Sequence, residues 1–147
     1  MIPAIDPATG NLPPGVHEAN WEEIEARYGT TMRRRELLRG LRAALDNLTA
    51  AGCRQVYLDG SFVGAKRNPP DYDACWVAQG VDETRLDPLF LDFSQGRAAQ
   101  KLRYGGEWFI AGTLATRSGR RYPEFFQRDK HTGAPKGILV LQLGDAR

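Results

Sequence analysis

Two strand-like stretches joined through a glycine turn constrain this chain more than any other feature. Gln55-Val56-Tyr57-Leu58 has the β-branched and aromatic content of a short strand. Asp59-Gly60 breaks it, with Gly60 supplying a left-handed dihedral or room for close backbone approach. Ser61 follows, and Phe62 to Lys66 reads as one or two helical turns. The chain then passes through Asn68-Pro69-Pro70 into a second strand, Tyr72 to Val77. Side chains alternate along a strand, so Asp71, Asp73 and Cys75 share one face while Tyr72, Ala74 and Trp76 share the other. The apolar set would hold this strand against a core, and the two carboxylates would reach a single cation. Magnesium is bound by one or two carboxylates together with substrate phosphates, which suits such a pair. A strand ending in Gly-Ser turns backbone N–H groups and a hydroxyl toward phosphate oxygens. Asp71 and Asp73 are therefore expected as metal ligands, and Gly60 and Ser61 as the cradle of a triphosphate. The competing local reading is an Asp-x-Asp that caps its own turn beside Pro69-Pro70.

Gly60-Ser61, nine residues, then Asp71-x-Asp73 between hydrophobic neighbours resembles the signature of the DNA polymerase beta-like nucleotidyltransferases, especially their minimal branch. The wider chain is also similar to a set of small bacterial proteins. That likeness runs along Pro13-Pro14-Gly15, Tyr57 to Val63, Gly96 to Lys101, Arg103 to Glu107, Phe125-Phe126-Gln127 and Pro135-Lys136-Gly137, and implies no activity. The first resemblance implies transfer of a nucleotidyl group from a nucleoside triphosphate bound with Mg2+ or Mn2+ to an acceptor hydroxyl. It further implies a toxin–antitoxin or defence pair, the acceptor being a tRNA end or a partner protein, with no role for DNA. In that superfamily a third carboxylate on a neighbouring strand completes the site and serves as base. Glu107-Trp108-Phe109-Ile110-Ala111 is the candidate third strand, with Glu107 at its start the first choice and Asp92 the second. Lys66, Lys101 and Lys136 are the lysines placed to meet phosphates. The alternative is a module of the same fold that senses nucleotide or binds a partner without turnover.

Composition narrows the class. A chain of 147 residues fits one domain, 1–147. No apolar run approaches the ~18 residues of a membrane span, and the N-terminus lacks a signal-like apolar core, so a cytoplasmic protein away from the membrane is expected. Cys53 and Cys75 read as buried thiols, and with His17 and His131 they make no zinc pattern. The formal net charge of +2 is unevenly spread. From Asp59 to Phe93 there are seven acids against three bases, and from Ser94 to Lys136 nine bases against three acids. An acidic segment followed by a basic one is the polarity of a metal–triphosphate site with a cationic wall.

The remaining pattern gives an α/β (α+β) domain: a mixed sheet of about four strands with N-terminal helices packed on one face. Residues 1–20, rich in Pro and Gly, read as an extended arm. Asn20 caps a short helix to about Tyr28, with Glu23 in the capping-box position. Thr31 caps a long helix whose stripe runs through Met32, Leu37, Leu38, Leu41, Ala44, Leu45 and Leu48 to a cap at Gly52. Arg33, Arg34, Arg35, Arg39 and Arg42 form its basic, solvated face. Helices are expected over Asp82 to Phe93 and Gly96 to Tyr104, a basic loop over Leu114 to Arg121, and a short helix after Pro123. A hairpin turn is expected at Asp129 to Gly133. Gly137 to Leu143, nearly all apolar, is expected as a strand inside the sheet.

Overall fold

The computed structural model describes residues 1–115 and 118–144. Helix α1 (Trp21–Tyr28) begins as its sequence dictates. The Asn20 side chain accepts from the Glu23 N–H at 2.8 Å, and the Glu23 carboxylate accepts from the Asn20 N–H at 3.0 Å. Helix α2 (Met32–Ala50) is capped by Thr31 and buries its leucine stripe, but Met32, expected in that stripe, is exposed at the first turn. Its end is a Schellman motif: Gly52, at φ +98°, donates to the Thr49 carbonyl at 3.0 Å and Cys53 to Leu48 at 2.9 Å. That left-handed turn sends the chain directly into strand β2 (Gln55–Asp59).

The sheet has five strands in the order β1-β5-β2-β3-β4. Strands β3 (Tyr72–Trp76), β4 (Gly106–Ile110) and β5 (Gly137–Gln142) match the sequence reading closely. The fifth strand, β1 (Gly15–Glu18), was not expected. It lies in the proline-rich arm and pairs parallel to β5, Gly15 opposite Gly137. The arm is therefore anchored, with Ile2 and Leu12 buried in the main core. Strand β5 sits between β1 and β2, which explains its unbroken apolar run. The β2–β3 and β2–β5 pairs are antiparallel and β3–β4 is parallel.

Helices α1, α2 and α3 (Ser94–Tyr104) cover one face of this sheet, meeting Val56, Leu58, Tyr72, Ala74, Trp76, Trp108 and Leu139. Tyr72 fixes β3 against its neighbours: its hydroxyl donates to the Tyr104 carbonyl at 2.8 Å and receives the Trp108 indole N–H at 3.2 Å. Gly106 has no side chain because a Cβ there would enter the Tyr72 ring. On the opposite face Cys75, Ile138 and Phe126 make a smaller cluster with Tyr57, Phe109 and Tyr122. Both thiols are free and buried, and burial pushes them up, away from reactive thiolate.

Besides the short turn after Ser61, three expected helices differ. Asp82 to Phe93 holds only a 3₁₀ turn, Pro88–Leu91. Asp82 binds the Thr84 N–H and hydroxyl, Asp87 binds the Leu89 N–H, and Pro88 keeps Asp87 extended, all of which compete with helix. The right-handed part of α3 starts only after Gln95, Gly96 and Arg97, which are left-handed at φ 51°, 61° and 62°. After Tyr122-Pro123, Phe125–Gln127 is a 3₁₀ turn in which Phe126 is buried and Phe125 exposed. Part of the expected basic loop, 116–117, lies outside the described residues. Among the described residues no helix is long and apolar enough to cross a membrane.

Gly40 tests the α2–α3 packing. Replacing an exposed mid-helix glycine by alanine gains up to about 1 kcal/mol, but a Cβ at Gly40 would run into the Tyr104 carbonyl oxygen. Gly40→Ala is therefore expected to lose about 1–3 kcal/mol, read as a lower urea midpoint at unchanged m.

Candidate functional site

The strand registers place four carboxylates on the sheet face away from the helices. Asp59 on β2 is paired with Asp73 on β3, and Asp73 with Glu107 on β4. These three acids form a row across adjacent strands, and Asp71 lies two residues from Asp73 on the same face. The row can take this register because Tyr72, Trp108 and Leu58, which alternate with the acids, are buried in the core below.

Gly60 brings the turn onto the row. It sits at φ +94° and ψ 179°, a region that only glycine occupies readily. A Cβ there would lie 3.1 Å from the Asp73 nitrogen and 3.2 Å from its Oδ2. Gly60 and Asp73 are thus packed closely together. Ser61 opens a 3₁₀ turn, Ser61–Val63, shorter than the expected helix, and its side chain is exposed at the wall of a cleft. That cleft, about 490 Å³, is lined by Gly60, Ser61, Asp59, Asp71 and Asp73. Lys66, Arg120, Arg128, Lys130 and Lys136 line the same cleft, Lys136 directly on Asp59.

The acids differ in their partners. Lys136 donates to Asp59 at 2.8 Å, and Lys101 lies 3.3 Å from Glu107. Among the described residues no lysine or arginine nitrogen comes within 4.0 Å of Asp71 or Asp73. Burial first, then the charges of Asp59, Glu107 and Asp71, pushes the Asp73 carboxyl up to about 8. Asp71 is also raised, by burial and then by Glu107, against the pull of Lys101, Lys130 and Arg33. Burial raises Asp59 as well, with Lys136 opposing it. Among the described residues no three His, Cys, Asp or Glu side chains group closely enough to enclose a metal ion by themselves. A cation held here would share its shell between the Asp71–Asp73 pair and oxygens of a ligand.

The loop between the two halves of the site is held by α2. Arg34, expected on a solvated face, is 3% exposed. Its guanidinium donates to the carbonyls of Phe62 at 2.6 Å, Gly64 at 3.0 Å and Lys66 at 2.5 Å, and lies over the Tyr28 and Phe62 rings. Arg33 donates to the carbonyls of Pro69, at 3.2 Å, and Pro70. The sequence reading missed this clamp because both arginines sit in an apparently uniform basic run.

Of the expected site residues, Gly60, Ser61, Lys66, Asp71, Asp73 and Lys136 meet in the cleft. Glu107 joins the row from β4, and Lys101 reaches the acids through Glu107 rather than by lining the cleft. Asp92 is not brought in. It is spent at the surface, accepting from the Ser94 N–H at 3.1 Å and hydroxyl at 2.6 Å. His131 is exposed in the turn at the cleft edge, where Asp129 takes its N–H. Asp59, missed as a site residue, was legible from strand alternation, since it shares a face with Tyr57.

Fold and site together define a mixed α+β protein with a five-stranded sheet and an acidic row at the floor of a cation-walled cleft. The chain belongs to a family of unknown function, DUF6932, which matches residues 3–142. No curated protein and no solved structure matches it.

The row carries a stability cost with a definite pH sign. An aspartate raised from 3.8 to about 8 is protonated in both states at low pH. As pH rises between those values the unfolded chain releases the proton first, so stability falls across that window. Asp73→Asn removes the charge and is expected to be the more stable protein. The gap should widen from pH 5 to pH 8, reaching about 1–2 kcal/mol, measured by urea unfolding at several pH values.

Proposed function

We propose that the chain is a minimal nucleotidyltransferase that binds a magnesium-bound nucleoside triphosphate and transfers its nucleotidyl group to an acceptor hydroxyl. The observation that carries this reading is the meeting of Asp71, Asp73 and Glu107 on one sheet face, with Gly60 packed closely on Asp73. The donor set fits a hard divalent ion: two carboxylates with no lysine or arginine within ion-pair distance among the described residues, beside a glycine turn that packs closely on one of them. Asp71 and Asp73 would hold Mg2+ or Mn2+, which when bound neutralises triphosphate charge. The Gly60-Ser61 turn orients the triphosphate, with Lys66 and Lys136 facing it from the cleft wall. Glu107 takes the proton of the acceptor hydroxyl. The acceptor oxygen bonds to the α-phosphorus, and the bond to the bridging oxygen breaks with departure of pyrophosphate. The sequence resemblance adds that the acceptor is a tRNA end or a partner protein, within a toxin–antitoxin or defence pair.

A second reading, a nucleotide sensor or partner-binding module without turnover, is favoured by one observation: Lys101 occupies the carboxylate that would be the base, 3.3 Å away. The test is thermal stabilisation by each nucleoside triphosphate with magnesium, followed by transfer from labelled triphosphates with and without bulk tRNA. Transferase activity is expected to disappear in Asp71→Asn/Asp73→Asn together with the stabilisation. Stabilisation without transfer under any condition selects the sensor. A triphosphate-induced shift in melting temperature that is absent, or equal in wild type and variant, with every triphosphate overturns both.

A further inference from the structure

A second cavity, about 370 Å³, lies behind the loop that carries Gly60 and Ser61, away from the acidic row. Its walls come from the arm, the end of α1, the start of α2 and the back of the loop at Gly64 and Ala65. Arg27, Tyr28, Thr30, Thr31, Arg34 and Arg67 supply its polar surface, and no lining residue is acidic. Every arginine in it lacks a counter-ion: among the described residues no carboxylate lies within 4.0 Å of Arg27, Arg34 or Arg67.

Among the described residues the arginines meet carbonyl dipoles and, at Arg34, aromatic faces rather than carboxylates. Arg27 donates to the carbonyls of Pro3 at 2.8 Å and Ile2 at 2.7 Å, and Arg34 to the three loop carbonyls already described. Arg34 is buried, and burial lowers the pKa of its guanidinium. Tyr28, also buried, has a hydroxyl with no hydrogen-bond partner among the described residues. A desolvated cation without an anion is costly, and the positive end of α2 points the same way, since its first turn holds no acid. The exposed Arg67 completes the rim, with the Thr31 hydroxyl reaching its carbonyl at 3.3 Å.

We propose that this cavity is a binding site for a phosphoryl group, taken either as free phosphate or as the monoester of a small molecule. Guanidinium N–H groups match phosphate oxygens in charge and geometry, and the Thr30 hydroxyl adds a neutral donor, the Thr31 hydroxyl being spent on the Arg67 carbonyl. Because Arg34 holds the loop from this side, the occupant contacts the back of the segment whose front forms the acidic cleft. The site stands on its own residues and does not depend on the transferase reading.

Melting is followed without divalent metal in sodium phosphate and in AMP, against sodium chloride at matched ionic strength. Phosphate or AMP at tenfold above its Kd is expected to raise the melting temperature by roughly 4 °C. Arg67→Glu, at an exposed position that leaves the core intact, should abolish the rise. Thr30→Val should weaken it, and Asp71→Asn should leave it unchanged. A greater effect of AMP identifies an esterified ligand, and a greater effect of phosphate the free ion. No rise beyond the chloride control, an equal rise in Arg67→Glu, or loss of the rise in Asp71→Asn overturns the proposal. The triphosphate titration with magnesium in Arg67→Glu separates this outcome from that of the transferase reading.

Discussion

The structure depends on keeping like charges in register. Asp59, Asp73 and Glu107 occupy matching positions on three neighbouring strands, which stand about 4.8 Å apart. Two carboxylates at ~5 Å repel by about 3 kcal/mol at an effective dielectric of 20, and like charges facing across strands weaken a sheet. What opposes them lies on the other face. Tyr72, Ala74, Trp76, Leu58 and Trp108 alternate with the acids and are buried against three helices. A slip of one residue would put the whole apolar set in water, so the core fixes the register and the acids follow it.

A second restraint keeps the turn above the row. Between Gly60 and Asp71 the chain has little regular structure, only the Ser61–Val63 turn. Left free, such a loop would place Ser61 and Lys66 anywhere. Arg33 and Arg34, adjacent on the first turn of α2, together reach five of its carbonyls. The loop is therefore organised by a helix rather than by its own sequence. The capping box and Schellman turn that fix both ends of the helical layer also fix where these guanidinium groups lie.

Those facts decide which parts were legible in the sequence. Elements with a local cause were read correctly: the Asn20 cap, the leucine stripe, the Gly52 stop and strands β2 to β5. The Asp71–Asp73 face and its contact with Gly60 were legible because alternation and glycine geometry are local rules. Strand β1 was hidden because its stability comes from β5, more than a hundred residues away, and its own four residues follow two prolines. Arg34 was hidden for the same reason, since nothing in an arginine run marks which member turns inward. Asp92 was overvalued because a carboxylate near the site in sequence can be spent on a neighbouring serine. The left-handed turn at Gln95–Arg97 also comes from tertiary partners, Arg97 lying over Phe109 and donating to the Trp108 carbonyl at 3.0 Å.

The distribution of cations then gives the acidic row its chemical character. Each outer acid has a lysine, Lys136 on Asp59 and Lys101 on Glu107, while Asp73 and its companion Asp71 have none within ion-pair distance among the described residues. The Lys136 pair is largely buried and hard to separate. The Lys101 pair is partly exposed, and pairs of that kind contribute little to stability and exchange readily. The centre of the row, packed against the Gly60 turn, is thus the place where negative charge without a lysine partner develops as Asp73 loses its proton. A cation arriving there would compete with protons on Asp73 and would be held more strongly as those protons leave.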